Sequence, residues 1–286
     1  MRAWVWTCGA LLTTSTAATA QPVAGAQLAE TLARTARRVE DYYARARTLV
    51  STERVLIQPL GTDLLPIGLG RRLLYELRVE WEPPAAGQPD GDAQVVRRLL
   101  TVNGRASRAD GDPGCIDPAS VSPEPLAIFR AAARHRYAFT WGGTSRIDGR
   151  ASVMLDYRHA MPADPEIVWK DECVSIDVPA KTLGRAWLDS ETGEVLRLDE
   201  RFEGQFDVPV PWKHQRKGSP ALMTIIRNDT SIRYRRFAFS DPDETLLLPA
   251  TIDTVSIIRN AGSPRVRVTQ TFSDYQRFRT DSRVVK

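Results

Sequence analysis

Between Arg72 and Trp81 every second residue is apolar. Leu73, Tyr75, Leu77, Val79 and Trp81 fall on one face of an extended chain, and Leu74, Glu76, Arg78 and Glu80 fall on the other. A period of two marks a strand buried on one side. The same alternation recurs along most of the sequence: Tyr137, Phe139 and Trp141 alternate with Ala138 and Thr140, and Val153, Leu155 and Tyr157 share a face. Further strand-like runs cover residues 52–59, 94–102, 173–178, 223–228, 231–240, 250–259 and 265–272. They are separated by turn signals such as Asn103-Gly104 and Asp148-Gly149 rather than by helices of ten residues, so the expected sheet is antiparallel.

The stretch from Gly184 to Gly204 shows the grammar most fully. Two alternating runs flank Asp189-Ser190-Glu191-Thr192-Gly193. Asp189 is placed to hydrogen-bond backbone further into the turn, and Gly193 to supply the positive φ that closes a longer hairpin loop.

Only one segment has a long helical period. From Ala24 to Leu49, Leu28, Leu32, Ala36, Val39, Tyr43 and Ala46 recur at three- and four-residue steps, with Arg34, Arg37, Arg38, Glu40 and Asp41 on the other side. This amphipathic helix is expected to lie on the sheet. A short helix is expected within Pro123–Arg134, while Glu82–Ala93 and Gln205–Leu222 read as loops. The fold class is therefore mainly β with an α lid. It is a strongly curved antiparallel sheet or half-barrel of about ten or eleven strands, with the N-terminal helix and one or two short helices on its concave face.

The first twenty residues have a different character. Arg2 precedes an apolar run, and small residues follow up to Ala18-Thr19-Ala20. This is the pattern of a secretory signal peptide, and a single domain over residues 21–286 is expected after its removal. No second apolar run approaches the length of a membrane span, so none is expected. The formal net charge of +4 is carried mainly by arginines that alternate with acids along strands, which argues against nucleic acid as a partner.

With residues 1–20 removed, Cys115 and Cys173 remain. In an exported chain an even pair favours a disulfide, worth roughly 4 kcal/mol of chain entropy. Two buried thiols are the alternative. A metal pair has little support, because no His stands at ligand spacing from either cysteine.

No catalytic constellation is found. His135, His159 and His214 lie far apart and in no metal-binding motif, and there is no nucleophile elbow or phosphate-cradling loop. Asp110, Asp112 and Asp117 fail the spacing of a calcium loop. The chain is expected not to be an enzyme and to need no metal or cofactor. What stands out is a set of strand residues on the inward face: Tyr75, Leu77, Val79, Trp81, Tyr137, Phe139, Trp141, Leu155 and Tyr157. They suit core packing, or the lining of a concave apolar pocket.

The order of signal peptide, amphipathic helix and antiparallel strands, with Trp187, Asp189, Thr192, Gly193 and Arg197 in the late hairpin, resembles the outer-membrane lipoprotein carrier superfamily (LolA-like, LppX-like) of Gram-negative bacteria. Relatives in that superfamily include periplasmic regulatory proteins of sigma factors. The resemblance implies a half-barrel whose helical lid shelters acyl chains. No acyl-binding residue is carried over from it. The implied function is a non-enzymatic exported protein, periplasmic or else extracellular, that binds a lipid or lipoprotein acyl chain. The alternatives are an envelope protein-interaction module on the same scaffold and a hydrolase whose site converges only in space.

Overall fold

In a computed structural model of the chain, the described residues are 21–46, 48–81, 93–107, 124–161, 164–170, 173–215, 218 and 220–277. The signal-peptide reading, the Asp110–Asp117 segment and Cys115 lie outside the described residues, as do the side chains of Trp81 and Cys173. The disulfide reading therefore lies outside them too.

The chain opens with helix α1 (Gln21–Arg45) and continues into strands β1 (Thr48–Pro59), β2 (Arg71–Trp81), β3 (Ala93–Val102) and β4 (Arg105–Ala106). Two single-turn helices follow, α2 (Glu124–Ala127) and α3 (Ala131–Arg134). Then come β5 (Tyr137–Ile147), β6 (Arg150–His159), β7 (Glu166–Lys170), β8 (Cys173–Asp177), β9 (Thr182–Asp189) and β10 (Val195–Phe202). The last four strands are β11 (Phe206–Pro209), β12 (Leu222–Ser240), β13 (Asp243–Arg259) and β14 (Arg265–Arg277).

Twelve strands form one sheet in the order β4-β3-β2-β1-β14-β13-β12-β10-β9-β6-β5, with β11 also paired to β12. All these pairs are antiparallel. The sheet is curved but not closed into a barrel: β5 stands at one end of the order, the short β4 at the other. A separate hairpin joins β7 to β8.

The expected fold class holds, with differences in detail. The strand count exceeds the expected ten or eleven because β4, β7 and β11 are too short to show a period. The runs at 223–228 and 231–240 are a single long strand, β12, that changes register between Ile225 and Arg227 and between Arg233 and Tyr234. Such bulges shift which side chains face inward, so one strand reads as two patterns. The expected loop at 205–222 contains β11, which lengthens the sheet beside the start of β12. The expected helix at 123–134 is broken into α2 and α3. Helix α1 ends at Arg45, earlier than Leu49, where the β-branched Thr48, Val50 and Thr52 favour an extended chain.

The core follows from the alternation. Leu32 and Val39 of α1 and Leu126, Ile128 and Phe129 around α2 form one buried cluster with residues of seven strands. These strand residues include Leu77, Leu155, Leu188, Leu198, Ile232, Ile252 and Phe272. The helices thus cover one face of the sheet, while Arg37, Arg38 and Glu40 of α1 are exposed.

Candidate ligand-binding face

The structure sorts the nine inward residues into distinct environments. Leu77, Val79, Leu155 and Tyr157 are buried together under α1 and α2. Tyr75 is buried in a second cluster with Val55, Ile57, Leu73, Leu99 and Val266, further along the same strands. Tyr137, Phe139 and Trp141 pack against the main cluster but stay only half-buried. The reason is position. They sit on β5, the edge strand, where no further strand shelters them.

These edge aromatics form a connected group. Phe139 lies 5.7 Å from Phe129 and 5.9 Å from Tyr157 between ring centroids, and Tyr137 lies 6.1 Å from Tyr157. Such spacings fit favourable edge and tilted ring contacts. The buried Phe129 anchors the group to the helical layer, and Tyr157 anchors it to the sheet.

The inward face also carries polar groups that pattern reading did not single out. Glu53 is 0% exposed, yet it occupies the inward period-two position between Ser51 and Val55 of β1. Arg97 of β3 clamps it with two contacts, Nε to Oε2 at 2.8 Å and Nη2 to Oε1 at 3.0 Å, and Gln270 Nε2 donates to Oε1 at 2.9 Å. A charge so buried is tolerated only when paired and hydrogen-bonded. The available signal was the Leu49-Ser51-Glu53-Val55-Ile57 alternation, which places a carboxylate on the apolar face.

A second polar group bridges three strands. Tyr157 of β6 stands opposite Gly184 of β9, which stands opposite Glu200 of β10. Tyr157 donates its hydroxyl to Glu200 Oε1 at 2.8 Å. Burial pushes the Glu200 carboxyl above its ordinary range; the Tyr157 hydrogen bond opposes this, and the Asp177 charge adds to it. Burial likewise raises Tyr42, Tyr157, Tyr234 and Tyr275, so these hydroxyls stay neutral.

The Asp189–Gly193 turn holds the helical layer in place. Asp189 Oδ1 accepts from the backbone N–H groups of Glu191 and Thr192 and from the Thr192 hydroxyl. Gly193 has φ +74°, and a Cβ there would lie 2.8 Å from Arg34 Cγ and 3.3 Å from the Thr35 nitrogen of α1. Arg38 Nε donates to Thr192 O at 3.1 Å. The turn is therefore a platform on which α1 rests, a role its letters did not reveal.

His159 packs on Tyr137, and His214 stacks on Trp169. Among the described residues no group of three or more His, Cys, Asp or Glu side chains is arranged to hold a metal ion. No described helix is long and apolar enough to cross a membrane.

No family model and no curated protein sequence matches the chain. Solved structures similar to it include a domain described as an outer membrane lipoprotein-sorting protein from Vibrio parahaemolyticus, with TM-score 0.43 and 11% identity over 90% of this chain and 94% of that one. A DUF1329 family protein from Desulfovibrio piger gives TM-score 0.37 and 11% identity over 91% and 95%. A LolA superfamily protein from Nitrosomonas europaea gives 0.36 and 11% over 85% and 94%. At this identity and these TM-scores the likeness assigns no family, no residue and no activity.

Proposed function

We propose that the chain is an exported, non-enzymatic binding protein of the bacterial envelope. Its ligand is a lipid or a lipoprotein acyl chain, held between the curved sheet and the helical layer of one domain spanning 21–286. The observation that supports this reading is the aromatic group at the β5 edge. Tyr137, Phe139 and Trp141 keep partly open faces while packing on a closed core, so the boundary between α1, α2 and the sheet presents apolar surface where a chain could slot in. Leu155, Tyr157, Leu77 and Val79 form the floor behind them, with Tyr75 further along β2.

The test is native mass spectrometry of protein drawn gently from the periplasm, alongside binding of a fluorescent fatty acid. Lipid adducts and saturable binding are expected, with weaker binding in Phe139→Ala. Lipid-free protein in every preparation, together with no fatty-acid binding, overturns the reading.

A further inference from the structure

The end of the sheet where β1, β14, β13, β12 and β11 have their loop-side termini carries an apolar rim. The Leu60–Gly70 loop between β1 and β2 exposes Leu65 (62%), Ile67 (52%) and Leu69 (98%). Its backbone is nonetheless ordered. Gly61 N–H donates to Leu65 O at 2.9 Å, Ile67 N–H to Pro59 O at 3.0 Å, Leu60 N–H to Arg265 O at 3.0 Å, and Gln58 Nε2 to Ile67 O at 3.0 Å. The loop's one acid, Asp63, turns Oδ1 back to the Leu65 N–H.

The registers place a second apolar point at the same end. Pro59 pairs with Val266, Ile257 with Arg265, Ile225 with Ile258, and Pro209 with Leu222. Trp212, 85% exposed, follows β11 directly, and Leu222 beside it is also exposed. Four strand spacings separate the two points, roughly 20 Å along the sheet. Exposed cations accompany them: Arg72 at the start of β2 and Arg105 on β4 lie on the far side of the Leu60–Gly70 loop, Arg259 at the end of β13 lies between the two points, and Lys213 is next to Trp212. The exposed acid on β11, Asp207, accepts a hydrogen bond from the Thr224 hydroxyl at 2.6 Å.

We propose that this rim docks the protein onto an anionic phospholipid surface. Aliphatic side chains and a tryptophan at the same end of the sheet, accompanied by arginines, match the layered chemistry of a bilayer interface, in which apolar groups enter the acyl boundary and cations meet phosphates. The backbone bonds at Gly61, Leu64, Leu65 and Ile67 matter here, because N–H groups that already have partners enter a low-dielectric interface at lower cost.

The experiment is flotation of the full mature chain with vesicles of phosphatidylglycerol and phosphatidylethanolamine in equal parts, and with phosphatidylcholine vesicles. Binding to the anionic vesicles that weakens with salt is expected. The double change Leu65→Asp with Leu69→Asp should weaken it by about ten-fold or more. Arg72→Glu with Arg105→Glu should weaken it and flatten the salt dependence. Unchanged circular dichroism and fatty-acid binding in both variants separate this surface from the inward face, which carries the proposed function independently. Failure of wild type to float with anionic vesicles, equal binding to phosphatidylcholine, or undiminished binding by the leucine variant overturns the proposal.

Discussion

The Tyr157 hydroxyl reaches Glu200 across an intervening strand, and it does so because residue 184 between them is glycine. A Cβ on Gly184 would lie 1.9 Å from Tyr157 Cζ and 2.3 Å from both Cε atoms, far inside van der Waals contact. The glycine leaves a flat bed on β9, the tyrosine ring lies in it, and the phenol ends 2.8 Å from the carboxylate. A contact between β6 and β10 thus ties three strands of the inward face together.

Gly184→Ala is therefore expected to evict the ring and strand Glu200. A destabilisation of about 1–3 kcal/mol is typical of such overpacking, measured by urea unfolding. A double-mutant cycle isolates the cause: in a Tyr157→Ala background the same change should cost less than half as much. Equal cost in both backgrounds would show that the glycine serves some other purpose.

The half-buried Glu200 also fixes a sign for the pH dependence. Its folded-state pKa is raised, so between the ordinary value of 4.5 and the higher folded value the native state holds more protons than the unfolded chain. Stability then falls as pH rises through that window and is flat above it. Asp189 and Glu194 act oppositely. Burial would raise them, but hydrogen bonds and the Arg150 charge hold both below the usual range, with Arg236 contributing at Glu194. Their contribution is present above the unfolded values and is lost as pH falls through the folded ones. Glu200→Gln should remove the decline on the upper side and leave the acid limb unchanged, as read from melting temperature against pH.

How much of this was legible follows from the range of each interaction. The alternation at Leu73–Val79 and the Asp189–Gly193 turn are local, and both are legible because each residue's role depends on neighbours within a few positions. The pairing of β1 with β14 is not local. Glu53 finds Arg97 44 residues away and Gln270 217 residues away, so nothing beside Glu53 says that its charge is neutralised. The aromatics were legible as inward-facing. Their division into a buried Tyr75 and half-buried Tyr137, Phe139 and Trp141 depends on which strand is central and which is an edge, and strand order is written in no single segment.

Gly193→Ala tests the platform under α1. The change forces a non-glycine residue to φ +74° and drives its Cβ toward Arg34 Cγ. The left-handed conformation alone costs about 1–2 kcal/mol, and loosening of the helix adds to it. Faster trypsin cleavage at Arg37 or Arg38 is expected, with the sheet still folded by circular dichroism. A stable variant with unaltered cleavage would show that α1 does not rest on this turn.

The Glu53–Arg97 pair gives the sharpest energetic test, because burial makes the two members unequal to their sum. Glu53 is wholly buried and the Arg97 side chain is 11% exposed, so removing either partner strands a charge in the apolar interior. Arg97→Met should cost about 3–5 kcal/mol, as should Glu53→Leu through the orphaned guanidinium. Combining them replaces two ions by two apolar side chains against Leu77 and Tyr75, to which Arg97 and Glu53 are register neighbours. The desolvation penalty of both ions then disappears, at the cost of the Gln270 hydrogen bond to Glu53. The double variant should therefore recover most of the loss, with a melting temperature above either single variant. Additive losses would mean that the two side chains act independently and that neither charge is stranded by loss of the other.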